Sequence, residues 1–122
     1  MNIIINTFAD NAMSSSAGDI LREKIEKIFS EDANAIITLD FSGIELYATP
    51  FFNRSTGYFF LKFGNEDIYK SKIKLINLDD LGMETYEYSL ETARKLLEIR
   101  LNETSIKNIL NNDNSNEEEW VW

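Results

Sequence analysis

Histidine and cysteine are both absent from this chain of 122 residues. Without histidine the chain lacks the commonest general base and the commonest metal ligand, so a histidine-based catalytic triad is excluded. Without cysteine it has no disulfide, no thiolate metal ligand and no cysteine nucleophile, which fits a reducing compartment. We therefore expect a protein that holds no metal or cofactor and that is not an enzyme.

Long apolar runs and positive charge are also scarce. No stretch reaches the roughly 18 apolar residues of a transmembrane helix. The apolar run that begins at Ile3 has neither the preceding basic region nor the length of a signal peptide core. With 12 basic and 21 acidic residues the formal net charge is −9, which repels a phosphate backbone. We expect a cytoplasmic protein that binds neither membranes nor nucleic acid.

Proline and glycine are few, with one and five residues, so the chain has little material for low-complexity linkers. Hydrophobic residues make up 43% of it, which is enough for a folded core. We expect one folded domain over residues 1–107. Residues 108–122 are dominated by Asn, Asp, Ser and Glu, and this composition predicts an acidic, flexible C-terminal tail.

Three β-rich runs alternate with three helical patterns. The predicted strands lie within residues 3–10, 35–41 and 73–78. The first helix follows a triple serine that can cap it, and the second begins with Thr49 as N-cap and Pro50 at the first helical position. The second ends at Gly64, and the third begins at Ser89 or somewhat earlier. This alternation predicts a βαβαβα chain of the α/β class with a mainly parallel sheet.

The middle helix has an apolar face and a second group of residues beside it. The face is predicted to consist of Phe52, Thr56, Phe59, Phe60 and Phe63. Phe51, Arg54 and Tyr58 fall outside this face. They could pack at its edge, or they could form an exposed aromatic and arginine patch of the kind that is enriched in protein interfaces. The sequence leaves both interpretations open.

The end of the chain places two tryptophans, Trp120 and Trp122, after three consecutive glutamates. Such a segment could be a docking peptide for a partner protein or for a second copy in a homodimer, or a tail without a role.

Aspartates at the ends of predicted strands offer an alternative function. Asp40, Asp79 and Asp80 lie at the edge where α/β sheets usually bind ligands, so they could serve a small-ligand or metal-dependent enzyme. They could equally be solvated or helix-capping acids. Residues 40–43 match a D-x-x-G pattern found in nucleotide switches, but no phosphate-binding glycine loop precedes them.

One segment resembles a known family. Residues 37–46 read Ile-Thr-Leu-Asp-Phe-Ser-Gly-Ile-Glu-Leu, and residues 48–53 read Ala-Thr-Pro-Phe-Phe-Asn. This strand, its Asp-x-Ser-Gly turn and the next helix resemble the STAS-like domains, relatives of the sulphate-transporter and anti-sigma-factor-antagonist domain. The resemblance extends more loosely over residues 2–101. It implies a small sheet of three to four strands with helices packed mostly on one face, and a binding surface at the start of the helix near Thr49.

The resemblance also implies a class of partner. In anti-sigma-factor antagonists that helix start carries a serine that is phosphorylated by an ATPase-type kinase, which is also the binding partner. Pro50 occupies the place of that serine here, and Thr49 carries a hydroxyl one position earlier. Thr49 is therefore a candidate phosphorylation site, with a plain N-cap as the alternative.

The resulting expectation is a regulator that docks a kinase-like ATPase or another signalling protein. Its predicted partner-binding residues are Thr49, Pro50, Phe51, Arg54 and Tyr58. An acidic phage-type inhibitor protein that mimics nucleic acid is a further alternative that the net charge permits.

Overall fold

The computed structural model describes residues 1–111, with side chains through Thr104. The predicted docking segment with Trp120 and Trp122 lies outside the described residues. The elements, in chain order, are β1 (Asn2–Ile4), a 3-10 turn (Ile5–Thr7), α1 (Ser15–Glu31), β2 (Ile37–Asp40), α2 (Thr49–Arg54), α3 (Thr56–Phe63), α4 (Glu66–Lys72), β3 (Ile73–Ile76) and α5 (Asp80–Asn111).

The three strands form one parallel sheet in the order β1-β2-β3. In its register Ile3 pairs with Leu39, and Leu39 pairs with Leu75. Alternate residues of each strand are buried, or half-buried in the case of Leu75, so one face of the sheet carries the core and the other, in the described part of the chain, is open. The predicted α/β class, with a three-stranded parallel sheet and helices mostly on one face, is confirmed.

α1 forms where the sequence predicts it. Ser14 is its N-cap, because the Ser14 hydroxyl accepts a hydrogen bond of 3.1 Å from the backbone N–H of Ala17. Leu21 and Ile25, one turn apart, are fully buried and turn the apolar side of the helix towards the core.

The middle helix is two helices rather than one. The backbone leaves the helical region at Ser55, with φ −113° and ψ −88°. The buried Ser55 hydroxyl donates a 2.7 Å hydrogen bond to the carbonyl oxygen of Phe51, which gives this polar group a partner inside the core. The predicted cap is also displaced by one residue. Ala48 is the N-cap and makes no side-chain bond, while Thr49 and Pro50 are the first two residues of α2.

Two further boundaries differ from the sequence prediction. Gly64, with φ 66°, ends α3 as predicted, but Asn65 then caps an additional helix, α4. Only Tyr69 of α4 is buried, so the helix has no apolar period for a sequence pattern to reveal. α5 begins at Asp80, well before Ser89, because the Asp79 carboxylate accepts a 2.7 Å hydrogen bond from the N–H of Gly82.

The core is dominated by aromatic rings that α2 and α3 bring against β2 and α5. Its largest fully buried side chains include Phe41, Phe51, Phe52, Phe59, Phe60 and Tyr69. None of the helices in residues 1–111 has both the length and the apolar character needed to cross a membrane.

Candidate functional site

The start of α1 and the whole of α2 enclose an open polar groove of about 540 Å³. We call it the α1–α2 groove, and its lining residues are Ser15, Ser16, Asp19, Pro50, Asn53 and Arg54. The groove contains the predicted binding surface at the start of α2. It also includes the first turns of α1, where the sequence analysis had assigned the serines only a capping role.

The groove exists because α1 and α2 approach each other closely at Gly18. A Cβ atom at Gly18 would lie 2.5 Å from the carbonyl oxygen of Phe51 and 3.0 Å from Cβ of Arg54. The first distance is far below van der Waals contact, and the obstructing atom is rigid backbone. Any larger residue would therefore have to move the helices apart. Gly18 thus sets the spacing of the two walls.

An ion pair connects the two walls. Nε and Nη2 of Arg54 donate hydrogen bonds to the two carboxylate oxygens of Asp19, at 2.9 and 3.3 Å. These bonds from Arg54 hold the pKa of Asp19 below its ordinary value, and Asp19 in turn raises the pKa of Arg54. Both side chains are about one third exposed, so the pair adds little stability. Its main effect is to fix a guanidinium group at the edge of the groove.

Asn53 links the groove to α5. The buried Ser89 hydroxyl donates a 2.6 Å hydrogen bond to Oδ1 of Asn53. This fixes the orientation of the amide, and the amide nitrogen of Asn53 has no hydrogen bond to the described residues. The groove therefore has an oriented donor on its α2 wall.

Beside the groove, a half-buried tyrosine ring has two cations close to it. The guanidinium of Arg22 is 5.0 Å from the ring centroid of Tyr58, and Nζ of Lys62 is 5.7 Å from it. Both distances are within the range of cation–π attraction. Nε of Arg22 also lies 3.5 Å from Oε1 of Glu26, as an ion pair. We call Arg22, Tyr58 and Lys62 the cation–aromatic ridge.

The ridge leads to a mainly apolar pocket of about 430 Å³ between the last turns of α1 and α3. This α1–α3 pocket is lined by Glu26, Phe29, Ser30, Ala33, Phe59, Lys62 and Phe63. Glu26 and Lys62 belong to both the pocket and the surroundings of the ridge. At the other end, Nη1 of Arg22 lies 4.0 Å from Oδ1 of Asp19, which lines the groove. The polar groove, the ridge and the apolar pocket therefore form one continuous surface along α1.

The structure brings four of the five predicted partner-binding residues to this surface or its rim. Pro50 is exposed, whereas Thr49, Arg54 and Tyr58 are half-buried. Phe51 is fully buried, so its assignment to an exposed patch is wrong. α2 packs against α1 on one side and α5 on another, so two of its faces are covered and a single apolar stripe underestimates its burial. The Phe51 ring packs edge-on against Phe41 and Phe52.

Thr49, the candidate phosphorylation site, is the first residue of α2, and its hydroxyl has no hydrogen bond to the described residues. Its phosphorylation stays a prediction.

The strand-end aspartates are engaged in local structure. Asp40 accepts hydrogen bonds from Asn77 Nδ2 and from the N–H and hydroxyl of Ser42, at 2.7 to 2.9 Å. These bonds, that from Asn77 first, keep the pKa of Asp40 below its ordinary value. Asp79 caps α5, and Asp80 is the exposed first residue of that helix. In the part of the chain that the structure describes, no group of three or more acidic residues could hold a metal ion.

One comparison with known proteins supports this fold. A family model described as a STAS-like domain of unknown function (DUF4325) matches residues 17–83, from the first turn of α1 to the start of α5. The match covers more than half of the chain and includes Asp19, Pro50, Asn53 and Arg54 of the α1–α2 groove. No curated protein and no solved structure matches the chain significantly. The chain belongs to this STAS-like domain family.

Proposed function

We propose that this chain is a non-enzymatic regulator that binds another protein across the α1–α2 groove, the cation–aromatic ridge and the α1–α3 pocket. The observation that carries the proposal is the continuity of these three regions along α1. α1 has 17 residues, which at 1.5 Å per residue gives a surface about 25 Å long. That length suits an interface between proteins better than a small-molecule site, which is usually one enclosed cleft.

The chemistry of the surface supports a protein partner. Arginine and tyrosine are the residue types that most often dominate binding energy in protein interfaces. Arg22, Arg54 and Tyr58 are all held in place by neighbours, so little side-chain freedom is lost on binding. A partner that presents an apolar side chain to the α1–α3 pocket and an acidic or amide group to Arg54 would fit both ends.

The STAS-like resemblance indicates the class of partner. In anti-sigma-factor antagonists the corresponding helix start docks a kinase-like ATPase, and here that start forms one wall of the α1–α2 groove. We therefore infer a kinase-like ATPase or a related signalling protein as the partner. Thr49, beside the groove, could then be modified by that partner, and a phosphate there would face the start of α2.

Photo-crosslinking in an extract of the native host tests the proposal. The probe is the full chain with a photoreactive amino acid in place of Ser16 in the groove, and a second probe carries it in place of Ile36 on the open sheet face. We expect one protein to be cross-linked at position 16 and not at position 36, and to contain a kinase-like ATPase or signalling domain by mass spectrometry.

Matched double variants locate the contact. In the position-16 probe, Arg54→Gln with Tyr58→Ala should reduce the cross-linked product about tenfold or more, because both changes remove interface anchors. Lys74→Gln with Ile36→Ala, on the open sheet face, should leave it unchanged. Circular dichroism and the melting temperature confirm that each variant is folded. Equal loss in both variants would place the contact elsewhere, and a probe that cross-links no protein at position 16 would contradict the proposal.

A further inference from the structure

The side of α5 that faces away from the core carries large apolar residues. Leu81, Tyr88 and Ile99 are 49%, 69% and 53% exposed. Their spacings of seven and eleven residues place them on one face of an α-helix. The buried residues Leu90 and Ala93 lie on the opposite face, against the core. The outward side of α5 therefore carries three large apolar side chains that the described residues leave exposed, and Ile99 is the one nearest the end of the helix.

α5 also extends beyond the body of the domain. Its 32 residues span about 48 Å at 1.5 Å per residue. Leu96 and Leu97 are half-buried and pack against the core, whereas Leu101 to Thr104 are all exposed. The helix continues to Asn111, about 21 Å past Leu97 at 1.5 Å per residue. An uncovered helical segment of about this length is marginal in water, so a packing partner would stabilise the end of α5.

The charges near Ile99 indicate what that partner is. Lys95 and Glu103 lie four residues before and four residues after Ile99, on the same outward side. When two copies of α5 lie antiparallel about a two-fold axis at Ile99, Lys95 of each copy faces Glu103 of the other. A parallel pair in register would instead oppose lysine to lysine and glutamate to glutamate. The segment is thus complementary to itself in the antiparallel direction only.

We propose that α5 forms an antiparallel helix pair with α5 of a second copy of this chain, with the two-fold axis at Ile99. Ile99 packs against Ile99 of the partner at the centre, and the two Lys95–Glu103 pairs flank this contact. No residue of the α1–α2 groove belongs to α5, so the pairing is independent of the proposed docking function.

Cross-linking at single cysteines tests the geometry, because the native chain has no cysteine. Ile99→Cys and Leu81→Cys replace side chains of similar exposure on the same face. In the antiparallel pair the two residues 99 are adjacent, whereas the two residues 81 are about 54 Å apart at 1.5 Å per residue. We expect a short bis-maleimide to join two copies through position 99 and not through position 81. Joining at both positions, or at neither, would overturn the proposal.

Sedimentation equilibrium of the full chain tests the energetics. We expect a mass twice the monomer value of 14.1 kDa at micromolar concentrations. Ile99→Glu should raise the dimer dissociation constant by about tenfold or more, because it places two carboxylates together at the axis. Leu46→Glu, a change at a comparably exposed leucine in the loop before α2, should leave the dissociation constant unchanged.

A charge exchange tests the register. Lys95→Glu should raise the dissociation constant about tenfold, and adding Glu103→Lys should restore it to within about threefold of the native value. A double variant no better than Lys95→Glu alone would overturn the proposed register. A native chain that stays monomeric up to about 100 µM would overturn the pairing itself.

Discussion

At the scale of single residues, the strongest charged contact of the described chain joins α4 to α5. Nε and Nη2 of Arg94 donate to the two carboxylate oxygens of Glu66 at 2.8 and 2.7 Å, and Nζ of Lys70 lies 3.1 Å from one of them. This bidentate geometry lowers the pKa of Glu66 to about 2, chiefly through the hydrogen bonds from Arg94. Because α4 buries only Tyr69, the ion pair is one of its few attachments to the domain.

Replacement of Glu66 by glutamine should lower the free energy of unfolding at pH 7 by about 1 kcal/mol. The figure is modest because both side chains are about one third exposed and the pair is screened by water. The pKa of Glu66 is lower in the folded state than in the unfolded state. Its stabilisation is therefore complete above the unfolded value, near 4.5, and is lost as the pH falls towards about 2.

Urea unfolding at pH 7 and at pH 3 measures this effect. The difference between the native chain and Glu66→Gln should shrink at pH 3. The matched control, Glu84→Gln, changes an exposed carboxylate on α5 and should alter stability by less than about 0.5 kcal/mol at both values. A Glu66→Gln difference that grows at low pH would show that the ion pair does not stabilise the fold.

At the scale of secondary structure, the sequence predicted those elements whose signals are local. The triple serine and the helical pattern after it predicted α1, and the β-rich run at residues 35–41 predicted β2. The missed features depend on tertiary contacts. The break at Ser55 depends on a bond inside the core, and α4 buries too little to show an apolar period.

The sequence predicted only one wall of the α1–α2 groove, the one that α2 forms. The start of α2 was identified from Thr49, Pro50 and Arg54, but Asp19 is 35 residues away from Arg54 along the chain. Their pairing depends on the packing of α1 against α2, which no local pattern encodes. One local signal was present. A glycine inside an amphipathic helix, here Gly18, often marks a place where another backbone comes close.

The approach of α1 to α2 is tested by Gly18→Ala. In an isolated helix this change stabilises by about 1 kcal/mol, because alanine has the higher helix propensity. In this chain the new Cβ would meet the Phe51 carbonyl oxygen at 2.5 Å, so we expect a net loss of about 1 to 3 kcal/mol. Urea unfolding measures this change in the free energy of unfolding. The control is Glu23→Ala, at an exposed position of α1, which should change it by less than about 0.5 kcal/mol. Stabilisation by Gly18→Ala would show that the helices are not in close contact.

At the scale of the whole molecule, residues 1–111 form a two-layer structure in which five α-helices and the sheet share one core. Ile3, Leu39 and Ile73 face that core, whereas Ile4 and Ile76 lie on the open face of the sheet beside Asp40. The open face is polar at its centre because Asp40 and Thr38 of the middle strand point to it. The surface along α1 and the outward side of α5 are therefore separate faces, and the two contacts that we propose do not compete for one of them.

Two alanine substitutions distinguish the covered face of the sheet from the open one. Leu39→Ala removes a fully buried side chain and leaves a cavity, so we expect it to lower the free energy of unfolding by about 2 to 5 kcal/mol. Ile76→Ala changes a side chain of the neighbouring strand that is 41% exposed. It should lower the free energy of unfolding by about 1 kcal/mol or less. Both values come from urea unfolding of the full chain at one protein concentration. Equal losses would mean that the second face of the sheet is also covered in solution, because only a covered isoleucine can contribute as much as Leu39.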